Sequence, residues 1–322
     1  MPEWLVERGI GETRAVLVDE GDIVEARVEL DGSVPAGSIV AARLTGTGTK
    51  GRNAIAADDR GIEYLLPSGA AGVTEGATLT IEVTREAIPG VETWKRPLAR
   101  ATSEAPRPAL ALARRLGARD LVFPDCRDPL AAAGWDELID QARTGVISFV
   151  GGELRISPTP AMTLIDVDGT LPPGGLAVEG AARAAQAIRR LDIGGSIGID
   201  LPTAGNKAAR QKAAEAIDAV LPQPFERTAI NGFGFVQIVR PRKRASLVEL
   251  AQDRAPFEAR ALLRRVAFAR PGSRRIVAHP AVIGVMATHQ AWIDELARQI
   301  GGAIELRADA TLPMSGGYAE KP

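Results

Sequence analysis

The fold is constrained most by a β-α-β-α pattern in which two apolar strands each lead to an aspartate. The first strand reads MTLIDV and carries Asp166 at its end, and the second reads GSIGID and ends at Asp200. Helical patterns follow at 176–191 and 206–221. Strands that alternate with helices indicate a parallel pair joined by a crossover helix. The nearly continuous apolar runs predict a buried sheet covered by those helices.

If these strands are parallel neighbours, Asp166 and Asp200 emerge at the same carboxyl edge, where open α/β sheets bind their ligands. Two carboxylates that converge there repel one another unless a cation lies between them. Mg²⁺ suits such a site because it binds through one or two carboxylates together with water and substrate phosphate. The pattern therefore predicts a magnesium site, while a structural role, in which both aspartates cap the following loops and helices, stays open.

The run DVDGT also matches the opening signature of phosphatases that use an aspartate nucleophile. In that interpretation Asp166 is the nucleophile, Asp168 is the acid/base, and Thr203 and Lys207 fill the middle roles. The signature also requires a late pair of acids after an apolar strand, and no such pair follows Asp218 in the sequence. A phosphatase is therefore the alternative interpretation of this segment.

Composition bounds the remaining possibilities. The chain has 322 residues, about two domains by length, and its 45% hydrophobic content supports a sizeable core. A net charge of −1 excludes a strongly basic chain, so any nucleic-acid surface must be local. The single cysteine, Cys126, excludes a disulfide framework and a cysteine-based zinc site within one chain. Neither a signal-peptide pattern nor an apolar run of membrane-spanning length occurs, so we expect a cytoplasmic protein and no membrane partner.

The flanking sequence predicts further β structure and then mixed elements. Residues 13–30 alternate on both sides of a turn at Glu20-Gly21-Asp22 and predict two strands, and short strands separated by glycines over 36–98 predict a small barrel. A polar linker begins at Ala101. Beyond it the patterns predict a helix at 109–116, a strand at 120–123, a helix in GWDELIDQARTG, a hairpin that turns at Gly151-Gly152, a helical stretch from Ala245 to Ala269, a helix at 288–300 and a last strand in AIELRAD.

Taken in order, several segments resemble those of the ribonuclease E/G family. GETRAVLVDEGDIVEARVEL resembles the family's opening hairpin, and residues 36–100 resemble its S1 RNA-binding barrel. The run from DELIDQARTG to LIDVDG resembles the approach to the catalytic strand, and RRLDIGGSIGIDLP resembles the segment with the second catalytic aspartate. AINGFGFVQIVRPRKR resembles the strand that closes the catalytic subdomain, and IVAHPAVIGVM and AIELRAD resemble the small C-terminal domain. Order and spacing carry this resemblance, because each motif alone is short.

The resemblance implies an α+β fold of several subdomains. An S1/OB-type β-barrel (36–100) would be inserted in an RNase H-like subdomain made of 1–35 and 101–160. A mixed α/β metal-binding catalytic subdomain would follow over 161–245, and a small α+β C-terminal domain over 246–322. The implied activity is endonucleolytic cleavage of single-stranded RNA that leaves 5′-phosphate products and depends on Mg²⁺, with Mn²⁺ as an alternative ion.

The resemblance assigns the metal-site residues. Asp166 and Asp200 fall on the two Mg²⁺-binding aspartates of the family. Asp168 falls where the family usually has an asparagine that supports the metal site, so a third carboxylate stands there as a further candidate ligand and catalytic residue.

The resemblance also implies RNA-binding residues. Ile55 and Leu65 take the places of two barrel phenylalanines that stack or pack against RNA, and Lys95 falls near a barrel lysine that helps to hold the substrate. Aliphatic side chains cannot stack bases, an interaction that contributes ~1–3 kcal/mol per base. The family places arginines in the run RPRKR, which could meet RNA phosphate or could be solvated charges. The basic residues of that run are Arg240, Arg242, Lys243 and Arg244.

Several departures from the family are informative. The stretch between Arg100 and Met162 is too short to hold the family's 5′-monophosphate sensor, and the zinc link is excluded because Cys126 is alone. We therefore expect no zinc, and a homodimer, if one forms, without a zinc link. The connection between the two aspartates is shorter than in the family by about eight residues. The expected partners are ribosomal RNA precursors or messenger RNA, and a catalytically weak RNA-binding paralogue is a further alternative.

Overall fold

The computed structural model describes residues 1–48, 52–89, 95–125, 127–203 and 206–322, and it shows three open sheets and one closed barrel with helices packed on them. Cys126 lies outside the described residues. The strands are β1 (Glu3–Arg8), β2 (Glu12–Asp19), β3 (Asp22–Leu30), β4 (Ile39–Gly46), β5 (Ala54–Ala57), β6 (Glu63–Leu66), β7 (Thr78–Arg85), β8 (Leu98–Thr102), β9 (Arg119–Leu121), β10 (Val146–Phe149), β11 (Gly152–Pro158), β12 (Thr163–Gly169), β13 (Gly195–Asp200), β14 (Glu226–Arg227), β15 (Phe235–Arg240), β16 (Arg274–Ala278), β17 (Ile304–Ala308) and β18 (Tyr318–Glu320). The helices are α1 (Leu112–Leu116), α2 (Pro129–Ala132), α3 (Trp135–Thr144), α4 (Pro173–Arg190), α5 (Lys207–Val220), α6 (Leu247–Gln252), α7 (Arg254–Ala267), α8 (Pro280–Thr288) and α9 (Gln290–Ile300).

The first sheet has the strand order β3-β2-β1-β9. β2 and β3 form the predicted hairpin, which turns at Glu20 and Gly21 with φ values of 52° and 96°. Glycine adopts such a left-handed conformation without steric cost. The sequence patterns do not predict β1, which completes the sheet by pairing antiparallel with β2 and parallel with β9.

The barrel lies between β3 and α1 along the chain, and its strands close in the order β4-β5-β6-β8-β7. Inward and outward residues alternate, so Leu44, Tyr64 and Ile81 are buried in its interior. The buried Tyr64 hydroxyl donates to Asp58 Oδ2 at 3.0 Å, which satisfies the polar tip of an otherwise apolar side chain. The small barrel predicted for this region is confirmed, and its closure is consistent with an OB-type barrel.

The third assembly is a sheet of six strands in the order β10-β11-β12-β13-β15-β14. β12 and β13 are parallel and joined by α4, as the β-α-β-α pattern predicts, whereas the other neighbouring pairs are antiparallel. The hairpin β10–β11 belongs to this sheet, because β11 pairs with β12 along its whole length, beginning with Gly152 opposite Gly169. The division that groups residues 101–160 with an RNase H-like subdomain stays a prediction.

Helices cover one face of the six-stranded sheet and leave the other face open. Ile165 and Val167 of β12 are buried in the core that α4 and α5 share, whereas the alternate residues of the same strand are exposed. The prediction of a fully buried sheet is therefore wrong, because α4 and α5 pack against each other on the same side. By strand register, the open face carries Glu153, Arg155, Leu164, Asp166, Asp168, Asp200, Phe235 and Val239.

The C-terminal unit packs α7, α8 and α9 with a sheet of order β17-β16-β18. A buried ion pair connects it to the first sheet, since Arg264 Nε of α7 lies 2.9 Å from Glu7 Oε1 of β1. The helical stretch predicted after Ala245 divides at Asp253 into α6 and α7, and β18 is not predicted by the sequence patterns. Among the described residues, no helix combines the length and the apolar character needed to cross a membrane.

Candidate functional site

The two aspartates of the predicted metal site are neighbours. Parallel pairing of β12 with β13 places Asp166 directly opposite Asp200, and the pairing between these strands ends there. β12 itself continues to Gly169, because β11 pairs with it that far. Asp166 therefore lies within its strand, which corrects the prediction that the strand ends near it, and both carboxylates belong to the open face.

The three carboxylates lie close together, and none of them forms a salt bridge within the described residues. Partial burial raises the pKa of Asp166, and the charges of Asp168 and Asp200 raise it further, against a backbone N–H and the charge of Arg155. Arg155 itself pairs with Glu153 at 2.8 Å. Within the part of the chain that the structure describes, no salt bridge or hydrogen bond from another side chain engages the three aspartates. The open face thus carries an excess of negative charge, which the single cation Arg155 offsets only in part.

This donor set fits a divalent cation held by two carboxylates. Asp166 and Asp200 present oxygen ligands from adjacent strands, and a cation between them would relieve the repulsion that raises the pKa of Asp166. No three His, Cys, Asp or Glu side chains in the described ranges converge closely enough to hold a metal together. Asp168 lies opposite Glu153 on the same face, and its charge contributes to the raised pKa of Asp166, so its part as a further ligand stays a prediction. Mg²⁺ accepts so few protein ligands because it usually keeps several waters.

The residues that the phosphatase interpretation requires lie in a paired strand, in a loop and at the start of a helix. Asp166 and Asp168 lie in a paired strand, opposite residues of β11. The Thr203 hydroxyl donates to the Phe233 carbonyl at 3.2 Å, and Lys207 is the exposed first residue of α5. Thr203 therefore has a structural role that does not depend on a phosphatase reaction.

The three barrel residues assigned to RNA lie on or near one side of the barrel. Ile55 and Leu65 are direct cross-strand partners in β5 and β6, and both are half-buried on the outward surface. Lys95 Nζ donates to the Pro160 carbonyl at 3.1 Å, which connects the barrel to the segment that enters β12. The pairing of Ile55 with Leu65 agrees with their assignment as neighbouring surface residues, while their contact with RNA stays a prediction.

The basic cluster after β15 includes a buried arginine. Arg244 is 8% exposed, and its guanidinium faces three carboxylates, with Asp192, Glu86 and Glu29 at 3.5, 3.7 and 3.8 Å. Its Nε atom has no hydrogen-bond partner within the described structure. Arg244 therefore lies inside an ion-pair network, where it balances three acids from different parts of the chain.

The other cations of that cluster differ in how far their charged groups are exposed and paired. Arg240 donates to the Ile193 carbonyl at 3.2 Å, and burial lowers its pKa. Arg242 is paired with Glu249, the residue that completes the capping box of α6. The Lys243 side chain is exposed. The predicted contact of this cluster with RNA phosphate therefore rests mainly on Lys243.

A cleft of about 800 Å³ lies between this cluster, the first sheet and the barrel. Its acids include Glu25 and Glu82, which pair with two of the cations at 3.3 and 2.6 Å. Most of the positive charge in this cleft is therefore compensated by ion pairs. We call it the arginine cleft after the basic residues that line it, which are Arg27, Arg100, Arg115, Arg240, Arg242, Lys243 and Arg244.

One exposed phenylalanine in the turn before β15 was not singled out from the sequence. Phe233 is 84% exposed and lies in the turn before β15, the strand that places Phe235 opposite Asp200. The signal in the sequence is the run NGFG, in which two glycines and an asparagine predict a tight turn around a single phenylalanine.

No protein-family model and no curated protein matches this sequence. The resemblance to the ribonuclease E/G family thus rests on the order and spacing of the motifs. The arrangement of Asp166 and Asp200 is an independent observation, since it comes from strand pairing.

Proposed function

We propose that this protein is a Mg²⁺-dependent endoribonuclease of the ribonuclease E/G type, which cleaves single-stranded RNA and leaves 5′-phosphate products. The observation that carries the proposal is the pair Asp166 and Asp200, which lie opposite one another on parallel strands of an open sheet face and form no salt bridge within the described residues. A pair of uncompensated carboxylates on an accessible surface is suited to a divalent cation and a phosphate ligand.

Asp166 and Asp200 would hold the ion from two adjacent strands. A bound Mg²⁺ would polarise a phosphoryl oxygen and lower the pKa of a water molecule. The chain's own part is to fix the two carboxylates on a hydrogen-bonded sheet, so that their separation is set before RNA arrives. The open face supports the proposal because both carboxylates are exposed there to solvent.

The other parts of the fold would serve substrate binding and support. The sheet β3-β2-β1-β9, interrupted by the barrel, would be the RNase H-like subdomain, and the barrel would be of the S1 type. Ile55, Leu65 and Lys95 would contact RNA on the barrel, whose segment is connected to β12 through the hydrogen bond from Lys95 to Pro160. We propose ribosomal RNA precursors or messenger RNA in the cytoplasm as substrates.

Cleavage of a labelled, AU-rich single-stranded RNA tests the proposal. The wild-type protein is compared with Asp166→Asn and Asp200→Asn, with and without Mg²⁺, and with Mn²⁺ in its place. Asp136→Asn is a matched control, since Asp136 is an exposed carboxylate in the first turn of α3. Cleavage that requires the ion and both aspartates, and that the control retains, supports the nuclease.

Two other outcomes point elsewhere. Binding of RNA without cleavage favours the RNA-binding paralogue, which the aliphatic side chains of Ile55 and Leu65 and the shortened connection between the two aspartates also favour. Turnover of p-nitrophenyl phosphate, with a covalent phosphate on Asp166, favours the phosphatase. Either result contradicts the proposed nuclease.

A further inference from the structure

Phe233 is an aromatic side chain in an unusual position. It is 84% exposed, and it is the one phenylalanine among the exposed large hydrophobic residues of the described chain. Aromatic residues make up only 4% of the sequence, and they usually contribute to the core or to interfaces. The Phe233 ring is therefore available for contact with a ligand.

The turn that carries Phe233 is held rigidly. Asn231 Oδ1 accepts hydrogen bonds from the backbone N–H groups of Phe233 and Phe235 at 2.9 and 3.1 Å. The Phe233 carbonyl accepts a bond from the Thr203 hydroxyl at 3.2 Å. These bonds fix the backbone of the turn while the Phe233 ring stays in solvent, so little conformational entropy is lost when the ring meets a ligand.

A glycine locks the same turn onto the segment after Asp200. The Gly234 carbonyl accepts from the Leu201 N–H at 3.3 Å, and Gly234 has φ +99°. A Cβ atom at Gly234 would lie 2.1 Å from the Leu201 carbonyl oxygen, so the close approach requires glycine. The position of Phe233 is thus coupled to the strand end that carries Asp200.

Two apolar side chains of the open face, Phe235 and Leu164, lie beside the aspartates. Phe235 lies opposite Asp200, and it meets Leu164 over Gly198, where a Cβ atom would lie 2.7 Å from Phe235 Cζ and 3.0 Å from Leu164 Cδ2. Leu164 in turn is two residues before Asp166 on the same face. The apolar surface is therefore narrow and ends at the carboxylate pair.

We propose that Phe233, with Phe235 beside it, stacks on an unpaired nucleobase of RNA next to the phosphate held at Asp166 and Asp200. This inference rests on the proposed function and names the part of the substrate that the site recognises. A base fits because its flat apolar face matches the ring while its phosphate lies at the metal, whereas a protein partner would have to cover bare carboxylates. Stacking accepts any base, so Phe233 would contribute affinity and position, without sequence preference. It would also supply the aromatic contact that Ile55 and Leu65 do not provide.

The test combines a protein change with a change in the RNA. A single abasic nucleotide is moved stepwise along a short fluorescent single-stranded RNA, and binding is measured by anisotropy with Ca²⁺ in place of Mg²⁺. The proteins are wild type, Phe233→Ala, Phe233→Trp and Leu110→Ala. Leu110 is a matched control, because it is 54% exposed and lies outside the open face. In parallel, cleavage by each protein is measured with Mg²⁺.

We expect Phe233→Ala to weaken binding about tenfold, within the range of stacking on one base. Phe233→Trp should retain binding, and Leu110→Ala should leave it unchanged. At one RNA position the abasic nucleotide should weaken binding to wild type by a similar factor and should add nothing to Phe233→Ala. An abasic profile that is the same for wild type and Phe233→Ala overturns the stacking role.

The outcomes separate this inference from the proposed nuclease. Cleavage by wild type together with unchanged binding by Phe233→Ala contradicts the stacking role alone. The expected abasic profile without any Mg²⁺-dependent cleavage supports stacking and contradicts the nuclease. If wild type binds no single-stranded RNA, both proposals are overturned.

Discussion

The open face and the arginine cleft are both strongly charged, but they differ in how their charges are compensated. On the open face Asp166 and Asp200 lie side by side, and their repulsion contributes to a raised pKa of Asp166. In the arginine cleft the cations face acids, and Arg244 alone is close to three carboxylates. The sequence shows the second region more conspicuously, as the run RPRKR. Like charges that stay close together in the folded chain therefore mark the candidate site, whereas a cluster of like charges in the sequence does not.

The largest expected effect concerns the pair of aspartates. Asp200→Asn should lower the rate of Mg²⁺-dependent RNA cleavage about a thousandfold or more, because loss of a metal ligand removes several kcal/mol of transition-state stabilisation. Single-turnover cleavage rates measure it. A fall in the cleavage rate of less than about tenfold, or about 1.4 kcal/mol, would show that Asp200 does not hold the metal. The open face would then not differ in function from the arginine cleft.

The next effect concerns the stability of the arginine cleft. Arg244→Met should lower the free energy of unfolding by about 3 kcal/mol, since it leaves the buried Glu86 without its ion-pair partner, while Glu29 keeps its pair with Arg115. Urea titration measures the change. Arg298→Met is the control, because Arg298 is 73% exposed and its pair with Glu295 should contribute less than about 1 kcal/mol. Equal losses in both variants would show that the Arg244 network is not structural.

A smaller effect on stability is expected when Asp166 is replaced and no metal is bound. Folding raises the pKa of Asp166, so the ionised carboxylate is penalised in the folded state above that pKa. The penalty is lost as the pH falls through the folded pKa towards the unfolded value of about 3.9. Asp166→Asn should therefore stabilise the protein at neutral pH by no more than about 1 kcal/mol, because solvent screens an exposed carboxylate.

Urea titrations with a chelator present, at neutral pH and below about pH 3.9, check this expectation. The stabilisation by Asp166→Asn should disappear at the lower pH, and Asp136→Asn should show no comparable gain. Destabilisation at neutral pH would mean that the Asp166 carboxylate is compensated in the folded protein.

A weak effect is expected from the exposed member of the basic cluster. Lys243→Ala should weaken RNA binding by about 1 kcal/mol or less, because it removes at most one phosphate contact. The slope of log K against log salt concentration should then change by about one unit. Affinity measured over a range of salt concentrations gives this slope. A change of several units would require that the paired arginines also leave their acids and bind RNA.

No effect is expected from the 5′ end of the substrate. The sensor of the ribonuclease E/G family has no counterpart here by length, and the cations of the arginine cleft are largely engaged in ion pairs. We therefore expect equal cleavage rates on 5′-monophosphate and 5′-hydroxyl RNA of the same sequence. A much faster cleavage of the 5′-monophosphate RNA would contradict this expectation and would indicate that the arginine cleft binds the 5′ phosphate.

Local patterns predicted most of the elements that position the site. β13 is found at the predicted residues 195–200, and α4 begins three residues before the predicted start of 176. The prediction of an aspartate pair also follows from local information, since one helix of ordinary length between two strands makes a parallel crossover the simplest connection. The hairpin β10–β11 was recognised from Gly151-Gly152, but its membership in the six-stranded sheet was not, because sheet partners are chosen by contacts beyond the hairpin.

Local sequence patterns are enough to predict the strand and helix periodicity, the two aspartates at matching places on neighbouring strands, and the chain segment that forms the barrel. The packed structure is needed to show which face of the sheet is open, that Arg244 is buried among Asp192, Glu86 and Glu29, and that Phe233 is exposed in a turn bonded to the segment after Asp200. The physical reason is range. Hydrogen-bonding periodicity is local, whereas burial and charge compensation depend on residues that are far apart in the chain and meet only when the elements pack.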